Sequence, residues 1–182
     1  MKTICVFCGS HDAAYFEFTA KAAELGKYLA GRGINLVYGG SNCGLMGVVA
    51  DNVIKNGGEA IAVMPKDLLK RCGHKDGTRL ITVQSMQERK QKMIDLSDAF
   101  IVLPGGLGTL DEAFEVLTYR QLGYHKKPCG FLNVNNYFDH IFSFVREAVS
   151  HGFIKPEHEK LIFSTKIIEE LVANLENQMI VK

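Results

Sequence analysis

The sequence predicts a single α/β domain, spanning residues 1–182, that is built on a doubly wound parallel sheet. Two observations predict this class. Short apolar runs of β-type residues alternate with helical patterns along the whole chain. The apolar runs are continuous rather than alternating, which indicates strands that are covered on both faces, as in a parallel sheet. In such a sheet, ligands bind at the carboxyl ends of the strands.

The predicted strands are the short apolar runs that lie between turn signals. They lie near Thr3–Cys8, Asn35–Tyr38, Ala60–Met64, Ile81–Gln84, Ala99–Leu103 and Cys129–Asn133, with a weaker one at Leu161–Phe163. The predicted helices are the stretches between these runs in which apolar residues recur at helical spacing. They lie near Ala13–Gly31, Gly44–Asn56, Met86–Ser97, Leu110–Leu122, Tyr137–Ser150 and Lys166–Glu176.

The longest irregular stretch is Pro65–Arg79, and it is rich in basic residues. These are Lys66, Lys70, Arg71, His74, Lys75 and Arg79. A solvated basic loop is the ordinary interpretation. The alternative is a lid over an anionic ligand, because long loops inside compact domains are often functional. The sequence leaves both open.

Composition excludes several classes of protein. Hydrophobic residues make up 47% and charged residues 23%, and the net charge of +1 predicts no general affinity for nucleic acid or membrane. The first residues lead straight into a strand with no signal-peptide pattern, which predicts a cytoplasmic protein. Five cysteines argue against a disulfide framework, and Cys5 and Cys8 would face opposite sides of the first strand. The histidines lack metal-ligand spacing, so no metal is expected.

Three predicted strands end in loops of glycine and small residues. The loops are Cys8-Gly9-Ser10, Tyr38 to Gly47, and Pro104 to Thr109. In a parallel sheet all three open at one edge, where glycines let the backbone approach a phosphate closely. None of them is a Walker A loop or a dinucleotide fingerprint, so a monophosphate fits better than a triphosphate or a dinucleotide.

The Pro104–Thr109 loop lies between an apolar strand and a helical pattern. Free N–H groups and the positive end of a helix dipole converge at such a point. Glu112 adds a carboxylate within one turn, which suggests chemistry on a phosphorylated substrate. The alternative is a capping box, with Thr109 as the N-cap and Glu112 reaching back to it. Both interpretations stay open at this stage.

The segment Ser85 to Lys90 repeats this pattern. Ser85 and Glu88 form a second candidate capping box, and Arg89 and Lys90 follow early in the helix. Cations oppose the dipole at a helix N-terminus unless an anion is bound there. The alternative is a solvated pair, which suits Lys90 better than Arg89, because the Arg89 fork can hold phosphate oxygens or a base edge in fixed geometry.

These residues resemble the signatures of the Lonely Guy (LOG) family. Pro104 to Glu112 is similar to its P-G-G-x-G-T-x-x-E motif, and Met86 to Lys90 is similar to its M-x-E-R-K motif, with Gln87 where His is common. Cys5 to Ser10, Tyr38 to Gly47 and Gln121 to Pro128 also resemble family segments. Family members cleave the N-glycosidic bond of cytokinin riboside 5′-monophosphates and release the free base and ribose 5-phosphate. Many also accept AMP.

The resemblance implies a Rossmann-like fold, a homodimer, no cofactor, and Arg89 and Glu112 as the catalytic pair. It also implies a set of substrate-binding positions, to which we add Ser10 and Gly40 from the other two loops. The complete set is Ser10, Gly40, Lys90, Gly105, Gly106, Gly108, Thr109, Asp111 and Thr118. Two alternatives remain: a nucleotide-binding regulator without turnover, and a pyridoxal phosphate decarboxylase, for which the sequence shows no lysine in the usual setting.

Overall fold

The computed structural model describes residues 1–11 and 16–180, and its seven strands form one parallel sheet. The strands are β1 (Thr3–Phe7), β2 (Asn35–Tyr38), β3 (Ala60–Pro65), β4 (Arg79–Val83), β5 (Ala99–Val102), β6 (Cys129–Leu132) and β7 (Ile162–Thr165). Their order across the sheet is β4-β3-β2-β1-β5-β6-β7. The chain moves outward from β1 to β4 and then returns to the other side of β1. The topological switch point, where such folds bind ligands, therefore lies between β1 and β5.

Helices cover both faces of the sheet. They are α1 (Phe16–Gly31), α2 (Gly44–Lys55), α3 (Lys66–Cys72), α4 (Met86–Leu96), α5 (Leu107–Gln121), α6 (Asp139–Ser150), α7 (Pro156–Glu159) and α8 (Ile168–Ile180), with a 3-10 turn at Val134–Asn136. One buried cluster joins the sheet to α1, α2 and α8, and a second joins it to α4 and α5. Cys5 lies in the second cluster and Cys8 in the first, so the two thiols face opposite sides, as predicted.

The predicted fold class is confirmed, and most element bounds agree within a few residues. The predicted start of the first helix at Ala13 lies outside the described residues. One prediction was wrong, because Pro65–Arg79 is not wholly irregular and contains α3. Its signals were Pro65 at the N-cap and Gly73 after the last turn, where a positive φ of 65° ends the helix. The short α7, which begins with Pro156 at its first position, was also not predicted.

Strand β4 begins two residues earlier than predicted, and its position has a simple cause. Its register against β3 pairs Ile61 with Arg79, and Arg79 is exposed. A charged residue is tolerated there because β4 is an edge strand of the sheet. Hydrophobic patterning alone therefore missed the first residues of the strand. The error does not affect the edge of the sheet at which the loops after β1, β2 and β5 converge.

Candidate active site

A cavity of about 680 Å³ opens near the switch point, and we call it the first cavity. It lies between the loop after β1 and the loop after β5, and Met46 of α2 and Arg89 of α4 complete its wall. The volume is within the range of about 300–1,000 Å³ that holds a small-molecule ligand. Backbone hydrogen bonds tie the loops together: Gly9 N donates to Pro104 O at 3.0 Å, and Met46 N donates to Gly9 O at 3.3 Å. The three glycine loops thus meet at one edge, as predicted.

Helix α5 directs its N-terminus into this cavity. Gly106 is the N-cap and the helix begins at Leu107, with no side chain capping the first turn and no acidic residue in it. The predicted capping box of Thr109 and Glu112 is therefore wrong. The helix begins at Leu107, three residues before the apolar pattern that predicted a start at Leu110. Glu112 therefore lies too far along the helix to occupy the N3 position of a capping box. The unpaired N–H groups of the first turn are left available for an anion.

Gly105 allows the close approach on which this loop depends. A Cβ at this position would overlap Thr109 Oγ1 and would lie 2.7 Å from Gly9 N. Tyr137, which the sequence did not suggest, donates its hydroxyl hydrogen to Gly105 O at 2.8 Å. Its ring also meets Phe18 edge-to-face at 5.6 Å between centroids. The loop is therefore held by backbone and aromatic contacts that have no signature in the local sequence.

The charged centre of the cavity is a buried ion pair between α4 and α5. Arg89 Nη2 donates to Glu112 Oε1 at 3.1 Å, and each side chain is only 6% exposed. Arg89 passes directly over the backbone at the end of β2, where a Cβ on Gly39 would overlap Nη2. Arg89 Nε is buried and has no hydrogen-bond partner among the described residues. The guanidinium therefore retains a donor besides the one that it gives to Glu112.

Burial raises the pKa of Glu112 from 4.5 to about 7, although the charge of Arg89 pulls it in the opposite direction. Nearby Asp111 raises this pKa further. The ionised and protonated forms of Glu112 are thus both accessible close to neutral pH. A carboxyl group with this property is suited to stabilise positive charge when ionised and to exchange a proton with water or substrate.

Lys90 points away from this centre. Its Nζ donates to Asp111 Oδ2 at 3.0 Å and lies 3.2 Å from Glu115 Oε1. Burial disfavours its charge, but these two carboxylates outweigh burial and raise the pKa of Lys90. The alternative of a solvated Lys90 does not hold, because Lys90 is held against α5. Ser85 does cap α4 as predicted: its Oγ accepts from Glu88 N at 3.1 Å, and the Glu88 carboxylate accepts from Gln84 N.

The other predicted substrate-binding residues fall into two groups. The first group lines the first cavity and consists of Ser10, Gly105, Gly106, Gly108, Thr109 and Asp111. The second group does not line this cavity. Gly40 has a φ of 85° and packs closely against Met64, and Thr118 lies on the far side of Asp111. Thr118 belongs to a separate surface hollow, the α5 depression, lined by Leu107, Leu110, Asp111, Phe114, Glu115, Thr118 and Tyr119.

The sequence allows Leu45, Met46, Met86 and Met93 either as an apolar pocket for a base or as core, and the first cavity contains three of them. Leu45, Met46 and Met86 line it, whereas Met93 is part of the buried core under α4. Among the described residues, no group of three or more His, Cys, Asp or Glu side chains is placed to hold a metal ion. No lysine is found among the described residues that line the cavity. The described chain also has no helix that is long and apolar enough to cross a membrane.

Comparison with known proteins gives consistent matches. A family model described as "Possible lysine decarboxylase" matches residues 46–175. The chain is 47% identical over 177 residues to the cytokinin riboside 5′-monophosphate phosphoribohydrolase LOG of Oryza sativa subsp. japonica, covering 96% of this chain and 73% of that protein. It is 46% identical over 178 residues to the phosphoribohydrolase LOG1 of Arabidopsis thaliana, covering 97% and 83% of the two chains.

Solved structures show similarity of fold at low identity. The molybdenum cofactor binding protein from Rippkaea orientalis superposes with a TM-score of 0.74 at 21% identity, covering 97% of both chains. The molybdenum cofactor carrier protein of Chlamydomonas reinhardtii superposes with a TM-score of 0.73 at 20% identity, covering 98% of both. At this identity the matches support the Rossmann-like architecture and nothing further about the chemistry.

Proposed function

Since this chain belongs to the family of the LOG phosphoribohydrolases, we propose that it hydrolyses the N-glycosidic bond of AMP or of an N6-substituted AMP. The products are the free base and ribose 5-phosphate. The observation that carries the proposal is the buried Arg89–Glu112 pair beside an uncapped helix N-terminus. The ion pair is suited to stabilise the positive charge that develops at the ribose, and the helix N-terminus is suited to bind the 5′-phosphate.

The phosphate site is built from the backbone of Gly105 to Thr109. The N-terminus of α5 carries free N–H groups and partial positive charge, and its first turn holds no carboxylate that would compete with a phosphate. Binding energy from this remote group orients the ribose toward Glu112 and Arg89, so that it contributes to the rate as well as to affinity.

Glycosidic cleavage passes through a transition state with positive charge on the sugar. Ionised Glu112, whose side chain is buried, stabilises that charge, and its carboxylate can orient or deprotonate the attacking water. Arg89 holds Glu112 in place through Nη2, and its free Nε donor is available to the nucleotide or to the departing base. These steps use only side chains and backbone of this chain, and we propose that no cofactor takes part.

The test is a product assay with AMP, isopentenyladenosine monophosphate, GMP and CMP, in which free base and ribose 5-phosphate are both measured. We expect stoichiometric release from the two adenine nucleotides. Binding of AMP without product would instead favour the non-catalytic regulator. The decarboxylase alternative is disfavoured by the absence of lysine among the described cavity residues, since Lys90 turns toward the α5 depression.

We further propose that the protein is a homodimer joined through α4 and α5. Leu107, Leu122 and Tyr124 expose 88%, 59% and 75% of their surface around this face. Thr118, matched to a family substrate position, lies outside the first cavity of its own chain. Two antiparallel α5 helices that cross at Phe114 would place Thr118 of a second copy opposite Leu110 and Asp111, beside that cavity.

Light scattering at micromolar concentration tests this arrangement, and a monomer would contradict it. A sharper test mixes two inactive variants, Glu112→Gln and Thr118→Arg. If each site uses Thr118 of the other copy, mixed dimers contain one intact site and recover activity. No recovery on mixing, with dimers present, would return Thr118 to a role within its own chain.

We also propose a cytoplasmic location, which is supported by the free buried thiols of Cys5, Cys8 and Cys129.

A further inference from the structure

A second cavity of about 680 Å³ adjoins the first and is not needed for the phosphate or the ribose. The two cavities share Ser10, His11, Met46 and Arg89, so the second continues from the charged centre away from the α5 N-terminus. A nucleotide that is anchored by its phosphate at α5 and by its ribose at Glu112 has this volume available for a group attached to the base.

The second cavity combines an apolar wall with a cation. Met46, Met64 and Leu68 provide the apolar surface, and Arg71 of α3 lies among the lining residues. No described residue that lines this cavity is acidic. A purely hydrocarbon substituent would use the methionines and leucine but would place Arg71 beside a group that cannot pair with it.

Arg71 has no ion-pair partner among the described residues, in contrast to two other cations of the Pro65–Arg79 stretch. Lys75 pairs with Asp51 at 2.7 Å, and Arg79 approaches Glu59 at 3.8 Å. Arg89 is paired with Glu112. Of the two arginines among the described residues that line the second cavity, Arg71 is therefore the one whose charge is available to a ligand. A guanidinium fork recognises a carboxylate by two parallel hydrogen bonds.

We propose that the second cavity takes the N6 substituent of the adenine base and that Arg71 selects substituents that end in a carboxylate. This inference rests on the proposed nucleotide hydrolysis and specifies its substrate class. Helix α3 lies within the basic Pro65–Arg79 stretch, for which the sequence left a lid over an anionic ligand open. The inference gives α3 this role, with Leu68 and Arg71 as the side chains that face the substituent.

The test compares two substrates of equal size that differ in charge, N6-(3-carboxypropyl)-AMP and N6-(3-carbamoylpropyl)-AMP. For the wild-type protein we expect kcat/KM to be about three- to tenfold higher for the carboxylate, a modest factor because Arg71 is exposed to solvent. The preference should weaken as ionic strength rises. Arg71→Gln should abolish the preference, and Arg71→Glu should reverse it.

Lys70→Gln is the matched control, because Lys70 is the adjacent cation on α3 but does not line the second cavity. It should keep the wild-type preference. Equal kcat/KM for the two substrates in the wild type, or a preference that survives Arg71→Gln, would overturn the proposal.

Failure of hydrolysis is separated from failure of this inference by a binding measurement. The Kd of both nucleotides for the Glu112→Gln protein, measured by calorimetry, reports the charge preference without turnover. Absence of AMP hydrolysis in the wild type refutes the proposed function. Equal Kd values for the carboxylate and the amide refute the role of Arg71, and tighter binding of the carboxylate supports it.

Discussion

Substitution of Glu112 by Gln removes one negative charge from the site and little else. The amide oxygen of Gln is able to accept the hydrogen bond that Arg89 Nη2 now donates to Glu112 at 3.1 Å. Burial already disfavours the ionised carboxylate, as its raised pKa of about 7 shows. We therefore expect the variant to fold and to melt no lower than the wild type at pH 8.

The effect on the rate follows from the charge that is lost. A unit negative charge about 5 Å from the sugar, at an effective dielectric constant of about 20, contributes ~3 kcal/mol to a fully developed positive charge. That corresponds to a factor of about 10² in rate. The unneutralised charge of Arg89 would add repulsion, so we expect kcat/KM for AMP to fall by about 10²- to 10³-fold.

The assay is adenine release from AMP at pH 8, where Glu112 is mostly ionised. Glu115→Gln is the matched control: the same substitution on the same helix, at a side chain that contacts Lys90 but does not line the first cavity. Retention of kcat/KM within about threefold in Glu112→Gln would refute the reasoning. So would an equal loss in the control, because it would attribute the effect to α5 in general.

Four further outcomes are expected. Below about pH 7, kcat/KM should fall by tenfold per unit as Glu112 takes up a proton, and Glu112→Gln should lack this dependence. Folding raises the pKa of Glu112, so between pH 4.5 and about 7 the folded protein binds more protons than the unfolded chain. Over this range the unfolding free energy of the wild type should therefore decline with rising pH relative to that of Glu112→Gln. Chemical denaturation of both proteins at several pH values measures this difference. Adenosine should be a far poorer substrate than AMP, because it cannot use the N-terminus of α5, and comparable kcat/KM values would contradict that assignment. Arg89→Ala should reduce kcat/KM more than Lys90→Ala does, because Arg89 lines the first cavity while Lys90 binds Asp111 and Glu115. For the same reason the Arg89→Ala protein should gain less thermal stabilisation from AMP. Equal mild losses of kcat/KM in both variants, with unchanged stabilisation by AMP, would return both residues to a surface role.

The fold was predictable from sequence because its signals are local and repeated. Continuous apolar runs identified the strands, and glycine loops at three strand ends predicted the edge at which the site lies. Local patterns failed where short segments depend on the tertiary fold. Helix α3 has seven residues and a mixed charge pattern, so only Pro65 and Gly73 mark its ends.

The composition of the site was predictable, but only the family resemblance, and no local pattern, paired Arg89 with Glu112. Arg89 and Glu112 are 23 residues apart, and no local rule joins them. The spacing of Thr109 and Glu112 instead suggested a cap, because the apolar pattern does not show that α5 begins at Leu107. Likewise Tyr137 contacts Gly105 from 32 residues away. Such contacts depend on the order of the strands around the switch point. Local sequence patterns do not encode that order, so they could not predict these contacts.

The Gly105–Thr109 loop has a consequence for how this protein could diverge. The anion donors that we propose there belong to the main chain, so no single side-chain deletion removes them. The most direct way to lose such a site is to gain a Cβ, as at Gly105. The second cavity, which we propose for the N6 substituent, is lined by side chains such as Met46, Met64, Leu68 and Arg71, each open to replacement by a single codon change. Under the proposed function, descendants of this chain can therefore change the N6 substituent that they recognise while they inherit the phosphate site unaltered.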